Sequence, residues 1–509
     1  MSACSGALYF LAFAGFDIWP LAFVAFVPHL IALERGAKTR RQELALGFAF
    51  GLVMNVGGYY WLIGMLRDFS GFPYVLCVLL GLLVCAYQAG QLGVFAVVWA
   101  WLARRGVPAT VGVPLVLGAV EWLYPFLFHS YFGNCVHGVP VLMQVADIGG
   151  PLLLTAILAA INGAIFELLR ARWARAPIPY RRLGAVALLV VFTVGYGVFR
   201  IRQVDARTRS APSLDIALVQ ANMGLFSKHL DPFEGLTRHL DQSLTVERES
   251  EPDLIVWPES AYTFLIPEEV TNLKRTVTGE LRTPLLFGGL LRRRQDGESA
   301  HYNTAFLLDR EGEIQGTYDK VYLLPFGEYL PFGTWFPKLY ELSPHTGRFT
   351  PGNTQSALEF RGHRIAPLVC YEDIIPEFVR RAVVKNDAEL LVNMTNDAWF
   401  GDTTEPWEHL ALAKFRAVEH HRYLVRATNS GVSAVIDPVG RVVLHGRVFH
   451  RETLEATVHW MNGSTIYQYV GDFPGWGSLI ALTAFAFWDR RLRLRNSKEA
   501  EARTSHPSP

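Results

Sequence analysis

Residues 1–200 are a succession of long apolar runs separated by short basic clusters, and such a chain has few ways to fold except across a membrane. The clearest runs fall at about 43–65, 73–102, 109–127, 147–169 and 183–199, with one more near 475–488. Residues 6–33 are also apolar but are broken at Phe16-Asp17-Ile18-Trp19-Pro20, which predicts two short spans joined by a tight turn. The total is about eight spans. A hydrophobic fraction of 51% with 18% charged residues is high for a soluble enzyme of this length, and the excess lies in these runs. The expected organisation is a transmembrane helix bundle over 1–200, a globular domain over 201–474, a C-terminal transmembrane helix over 475–489 and a polar, disordered tail over 490–509.

Basic residues give the orientation. Arg35, Lys38, Arg40 and Arg41 follow the second span, Arg104 and Arg105 the fourth, and Arg170, Arg172, Arg175, Arg181 and Arg182 the sixth. The loops at 66–72 and 128–146 carry only Arg67, beside Asp68. This positive-inside alternation places 201–474 outside the cytoplasm. Arg200, Arg202, Arg207 and Arg209 pull the other way, but charges leading into a long translocated domain carry little topological weight. The last span has roughly 14 apolar residues, so it needs residues 467–474 and snorkelling from Arg490 and Arg491 to cross. Residues 1–8 lack the basic region of a signal peptide, so the first apolar segment is expected to be retained. The net charge of +1 gives no reason to propose nucleic acid as a partner. Glu121, beside Trp122, lies within the fifth span, where an ionisable group serves either function or a hydrogen bond to a neighbouring helix.

The globular part alternates strand-like and helix-like segments. Residues 216–220, 254–257, 285–290, 304–308, 365–369, 390–394 and 432–436 read as buried strands, and 233–249, 376–385 and 407–422 as helices. That mixture predicts a layered sheet-and-helix enzyme domain.

Its chemistry centres on RIAPLVCYEDIIP at 364–376. An apolar strand ends at Cys370, Tyr371-Glu372-Asp373 supplies turn chemistry, and Pro376 suits the first turn of a helix. A thiol at such an elbow lies near helix N–H groups that favour thiolate and hold an oxyanion. The competing reading is a buried structural cysteine. Cys4, Cys77 and Cys85 fall in predicted spans and Cys135 in an outer loop, leaving Cys370 alone in the globular domain. Structural cysteines in an oxidising compartment come in pairs, so unless Cys370 pairs with Cys135, reactivity is the better account. Glu259, in a Trp-Pro-Glu-Ser turn at a strand end, is a candidate base, and Lys320 is a lone cation in an apolar and aromatic stretch. Either alone reads more readily as a surface charge, but three such groups at strand ends of one sheet can converge.

WPES around Glu259, YDKVYLLPFGEYLP around Lys320 and LVCYED around Cys370 resemble the Glu, Lys and Cys elements of the nitrilase superfamily. The same order of motifs, preceded by membrane spans and followed by NDAWFG at 396–401, is similar to the apolipoprotein N-acyltransferases of bacterial envelopes. The resemblance implies a nitrilase-like α/β domain, an αββα sandwich, beside the polytopic α-helical bundle. It implies Cys370 as nucleophile, Glu259 as general base and Lys320 as stabiliser of the tetrahedral intermediate, with the Tyr371 backbone N–H as a second oxyanion donor. Glu328 matches the additional glutamate that orients the site, and Glu372 the acidic residue two after the nucleophile. The implied reaction is ping-pong acyl transfer in the bacterial cytoplasmic membrane, with the catalytic domain on the periplasmic side. A phospholipid donor, phosphatidylethanolamine, loads Cys370 as a thioester, and the α-amine of a diacylated apolipoprotein acceptor takes the chain.

Lipid substrates require a site at the bilayer surface. Residues 329–340, with Phe332, Trp335, Phe336 and Leu339, are expected to form a lid at the interface, against the alternative of a loop packed on the core. Trp399 and Phe400 are candidates to line the acyl channel or simply to fill the core, and Arg416 and Glu419 are spaced to pair on a helix face. Three positions depart from the family pattern: His229 where a tryptophan is usual, Glu405-Pro406 where Gly-Pro is usual, and Tyr124 where an arginine often follows the Glu-Trp pair. No cofactor is called for: no grouping has metal-ligand spacing and no nucleotide loop is present. The same catalytic set would serve a membrane-tethered carbon–nitrogen hydrolase. A non-catalytic scaffold or transporter is the rival of another class.

Overall fold

The computed structural model describes residues 1–224, 231–295, 298–325, 327–330, 333, 335–342 and 346–504. The N-terminal half is helical: α1 (Ser2–Ala12), α2 (Val27–Gly36), α3 (Arg40–Gly58), α4 (Leu62–Ser70), α5 (Tyr74–Ala103), α6 (Ala109–Leu123), α7 (Ala146–Trp173) and α8 (Tyr180–Ser210). Thr39 opens α3 with a reciprocal cap, its hydroxyl accepting from Gln42 N while the Gln42 side chain accepts from Thr39 N. Gly47 and Gly51, one turn apart, let α3 lie against α5; a Cβ on Gly51 would stand 2.7 Å from Ala89 Cα.

Three described helices, α5, α7 and α8, are long and apolar enough to cross a membrane, or four if the bent pair of α3 with residues 62–68 is one span. The about eight spans expected from the apolar runs are therefore not reached by length and composition. The run at 43–65 is broken by a 57° bend, and α1 and α6 are short. The bend has a use: Tyr60 and Trp61 turn toward the globular domain, where the Tyr60 hydroxyl accepts from Thr404 N and Trp61 Nε1 donates to Glu408. The tail is a second correction. The last helix runs unbroken over Phe473–Thr504, because its Arg, Leu, Lys, Glu and Ala residues propagate a helix already nucleated in the apolar segment.

The globular domain holds two sheets. The first orders β13 (Glu452–His459), β1 (Ser213–Gln220), β2 (Leu254–Val256), β4 (Leu285–Gln295), β5 (Glu298–Leu308) and β6 (Ile314–Asp319), with β3 (Tyr262–Pro267) also paired to β4. The second orders β12 (Val442–His445), β11 (Ala434–Ile436), β10 (Tyr423–Thr428), β9 (Leu390–Thr395), β8 (His363–Val369) and β7 (Leu358–Phe360). Alternation along the first sheet serves two cores. Leu214, Ile216, Leu218, Val256 and Leu307 pack toward the second sheet, and Ala217, Val219, Ile255, Phe287 and Phe306 toward the outer face. Helix α9 (Pro232–Ser250) covers that face through Leu236, Leu240 and Leu244. Helices α10 (Pro376–Asn386) and α11 (Glu405–His420) cover the second sheet, completing the αββα order expected above.

Helix α11 serves both halves of the protein. Leu410, Ala413 and Ala417 join the sandwich core, while Ala411, Leu412, Phe415 and Val418 join the core of the membrane bundle. Its polar side chains are buried with it. Arg416 Nη2 donates to Glu419 Oε1 at 2.5 Å, the pair expected from their spacing. His409 Nε2 lies 2.8 Å from Asp373 Oδ1 and Nδ1 3.2 Å from Asp397 Oδ1, and Arg426 bonds Asp373 from β10. Burial, the largest influence, and Arg426 oppose an imidazolium here, but Asp373 and Asp397 outweigh them and push His409 up to about 10. A histidine raised above its unfolded value near 6.5 stabilises fully below that pH and loses the contribution as pH rises toward 10. His409→Gln is therefore expected to flatten the fall of Tm over that window, measured by thermal unfolding in detergent at graded pH; an unchanged slope would show that His409 is not held charged.

Candidate active site

Three loops meet at one end of the sandwich. Strand β8 is buried through Val369 and ends at Cys370, which begins a 3₁₀ turn (Cys370–Ile374) leading to Pro376 at the start of α10. This is the strand, elbow and helix expected from 364–376. Cys370 has φ +53°, a left-handed conformation costly for a residue with a Cβ, of order 1 kcal/mol or more. The neighbouring strand β9 offsets that cost: Asn393 Nδ2 donates to Cys370 O at 3.0 Å, and the Thr395 hydroxyl reaches the sulfur.

Glu259 follows β2 and Lys320 follows β6, both on the opposite sheet. Gly288 on β4 lets the Glu259 turn approach, since a Cβ there would lie 2.7 Å from Glu259 Cα. Lys320 Nζ stands 3.2 Å from Glu259 Oε1 and 2.7 Å from Glu328 Oε2, and its side chain is 1% exposed. Asn303 on β5 ties the two carboxylates together, donating through Nδ2 to Glu259 Oε1 at 2.7 Å and to Glu328 Oε1 at 2.9 Å. Leu324 N adds a bond to Glu328 at 2.8 Å. Burial works against the ammonium, but Glu259 and Glu328 override it and hold Lys320 well above the usual lysine range. Burial and then Glu259 push the Cys370 thiol up, with Lys320 opposing. A thiol so placed needs a base at the moment it attacks, and Glu259 shares its electrostatic environment.

Glu372 does not face this cluster as a reacting group; it clamps the loops. Its carboxylate accepts from Val369 N at 2.8 Å, Val321 N at 2.7 Å, Tyr322 N at 3.0 Å and the Tyr318 hydroxyl at 3.0 Å. The cysteine elbow and the loop after Lys320 are thereby fixed to one another. Burial raises Glu372 to about 7 against these donors.

Above the thiol lies a cavity of ≈ 40 Å³ to which both halves of the protein contribute. Phe13, Tyr59, Trp61, Phe128 and His129 come from the bundle; Cys370, Tyr371, Phe400, Glu405 and Glu408 come from the globular domain. The Tyr371 hydroxyl ties the elbow to the bundle, 2.7 Å from His129 Nδ1. Of the aromatic candidates, Phe400 reaches the cavity, its ring edge-on to Trp61 at 5.2 Å, and Trp399 is not among the lining residues. Trp335 and Phe336 stand 74% and 62% exposed, away from the cavity, while Phe332 lies outside the described residues. So does His229. Glu121 is engaged at both oxygens, by Phe132 N at 2.8 Å and Thr155 Oγ1 at 2.7 Å, so the hydrogen-bonding alternative accounts for its geometry. Asn303 and the pair Glu405 and Glu408 were not singled out as site residues. An asparagine inside the apolar strand at 304–308 and its approach was the available signal for the first.

Comparison with known proteins agrees along the whole chain. The profile of the apolipoprotein N-acyltransferase N-terminal domain matches residues 5–164, and that of the carbon–nitrogen hydrolases matches 215–462. The apolipoprotein N-acyltransferase of Geobacter metallireducens is 34% identical over 502 residues, covering 96% of this chain and 94% of that protein. Its counterpart from Azotobacter vinelandii is 32% identical, covering 96% and 95%. A nitrilase-superfamily amidase from Nesterenkonia overlaps 48% of this chain and 90% of its own, at a TM-score of 0.36 and 23% identity. With identity above 30% sustained across both halves, the chain belongs to the apolipoprotein N-acyltransferase family, the membrane-embedded branch of the nitrilase superfamily.

Proposed function

We propose that this protein carries out the last step of lipoprotein maturation, moving an acyl chain from a phospholipid to the α-amino group of an apolipoprotein's S-diacylglyceryl-cysteine through a thioester on Cys370. The names of its relatives point to lipoprotein N-acylation. The observation that carries the finer reading is the shared cavity, in which a thiol beside a buried carboxylate and ammonium opens toward side chains of the membrane bundle. A soluble hydrolase has no need of that arrangement.

In this reading Glu259 takes the thiol proton as Cys370 attacks the sn-1 ester of phosphatidylethanolamine. Lys320, already charged between its two carboxylates, faces the oxyanion together with the Tyr371 backbone N–H. Glu259 returns the proton to the departing lysophospholipid, and the thioester remains until the acceptor amine attacks it. Glu328 and Asn303 keep Lys320 and Glu259 in register. The bundle over 1–200 and the last helix, about eight passes with the short helices counted, would hold 201–474 on the periplasmic side of the cytoplasmic membrane, as the arginine distribution favours. Trp335 and Phe336, exposed on the stretch after Lys320, suit a lid that rests in the bilayer interface.

Purified protein incubated with phosphatidylethanolamine is expected to carry a hydroxylamine-labile acyl adduct at Cys370 by mass spectrometry, discharged on addition of a diacylated lipopeptide. Cys370→Ser and Glu259→Gln should form none, and Lys320→Met should load at least about 10²-fold more slowly. An adduct discharged only to water would make the protein a hydrolase, and a wild-type protein that never loads would end the thioester reading. Replacing Trp335 and Phe336 by serine should slow loading from phospholipid vesicles more than from detergent-dispersed phospholipid; equal effects in both would remove the lid.

A further inference from the structure

The cavity above Cys370 contains two carboxylates that the reaction described so far does not use. Glu405 and Glu408 open helix α11 three residues apart and are 8% and 3% exposed. The charged groups around them are Asp397 from the preceding turn, His409 on the same helix, Arg426 from β10 and, through His409, Asp373 from the elbow. Cys370, Tyr371, Tyr59 and His129 face them across the cavity. Asp373 and Asp397 are matched by His409 and Arg426. Among the described residues this leaves Glu405 and Glu408 with no cation of their own. Glu408 is satisfied by neutral donors, Trp61 Nε1 at 3.3 Å and Thr404 Oγ1 at 2.8 Å. Glu405 Oε2 is buried without any hydrogen-bonding partner, the one such side-chain atom among the cavity's lining residues.

A buried carboxylate oxygen with no donor is costly, and one that lines a cavity can be satisfied by a ligand that brings a donor. Glu405 and Cys370 line the same cavity of ≈ 40 Å³, so a small donor group seated beside Glu405 is held next to the thiol. The group that must reach bonding distance of a Cys370 thioester is the primary amine of the acceptor.

We propose that Glu405, backed by Glu408, receives the acceptor's primary ammonium and takes its proton in the second half-reaction, an assignment that rests on the acyl-transfer reading above. Burial, then Asp397, keeps Glu405 protonated on its own; an ammonium alongside reverses that balance, and the carboxyl releases its proton to solvent as the amine docks. One N–H proton then passes to Glu405, the nitrogen lone pair forms the C–N bond, the C–S bond breaks, and Cys370 leaves as thiolate. The second nitrogen proton goes by Glu259 to that thiolate, giving amide and thiol. Burial holds Glu408 at about 8, close to the ≈ 7.7–8.0 of an α-amine, so a proton is shared between the two at little cost.

The test separates the half-reactions in the full chain. Wild type, Glu405→Gln and Glu408→Gln are loaded from phosphatidylethanolamine or phosphatidylglycerol, then discharged with a diacylated lipopeptide or with hydroxylamine from about pH 6 to pH 9. For Glu405→Gln, loading should change by less than about 3-fold, lipopeptide discharge near neutral pH should fall roughly 10²-fold and regain up to about 10-fold as the amine deprotonates in solution, and hydroxylamine discharge should hold. Glu408→Gln, the second variant should the first not fold, should show the same pattern more weakly. Lipopeptide discharge at the wild-type rate overturns the proposal, as does a loss shared by hydroxylamine and insensitive to pH. A loading defect confined to phosphatidylethanolamine also overturns it, assigning the ammonium to the donor. Wild type that loads but never discharges to the peptide defeats the acyl-transfer reading itself, before any variant is compared.

Discussion

A lysine ammonium with 1% of its side chain exposed stays charged only because two carboxylates stand within 3.2 Å of it. Removing either partner from such a buried ion group typically costs about 3–5 kcal/mol, so Lys320, Glu259 and Glu328 survive as a set or not at all. That dependence ties together the ends of β2 and β6 and the loop after Lys320. Glu372 extends the tie to the opposite sheet by bonding that loop and the cysteine elbow with one carboxylate. The left-handed backbone at Cys370 is tolerable because the neighbouring strand and Glu372 hold the residues on either side of it.

The same economy appears where the sandwich meets the bundle. A helix that covers one face of a sheet needs one apolar stripe, and α11 has two, so the covering layer of the sandwich is also a core layer of the bundle. Burying a helix on all sides also buries its polar residues, which then depend on groups brought by neighbouring elements. Asp373 and Asp397 answer His409 and Arg426, and Glu419 answers Arg416. The bend between α3 and α4 belongs to this junction too, since it supplies Trp61 and Tyr60 to the first turn of α11.

Much of this was legible in the residues. Strands that are apolar on both faces, such as 365–369 and 390–394, announce themselves by composition, and the cysteine elbow follows from one apolar run, one turn and one proline. Strands with exposed alternate positions, such as β12 and β13, gave no such run and were passed over. Strand β10 was hidden because the apolar residues of 423–428 follow directly on a helix of similar composition. The expected span count is not reached by length and composition for a different reason. Apolar composition reports what will be buried, and in a bundle that shares its core with a second domain, protein buries part of what lipid would. The surroundings of Asn303, Glu405 and Glu408 are groups brought near by the fold, and no spacing in the chain reveals those neighbours.

Helix α8 carries a mechanical consequence. It has 31 residues, about 46 Å at 1.5 Å each, and runs without interruption into the first strand of the sandwich after a two-residue joint. A hydrocarbon layer of about 30 Å accounts for only part of that length. The remainder is a rigid standoff, a ruler that sets how far the thiol sits from the bilayer. A ruler made of helix cannot be lengthened smoothly: each added residue raises the domain by about 1.5 Å but also turns it by roughly 100°, which would pull Glu405 and Trp61 out of register. Bilayers of different thickness must therefore be met by tilting the whole protein or deforming the lipid, with the height of the site kept constant relative to its own bundle.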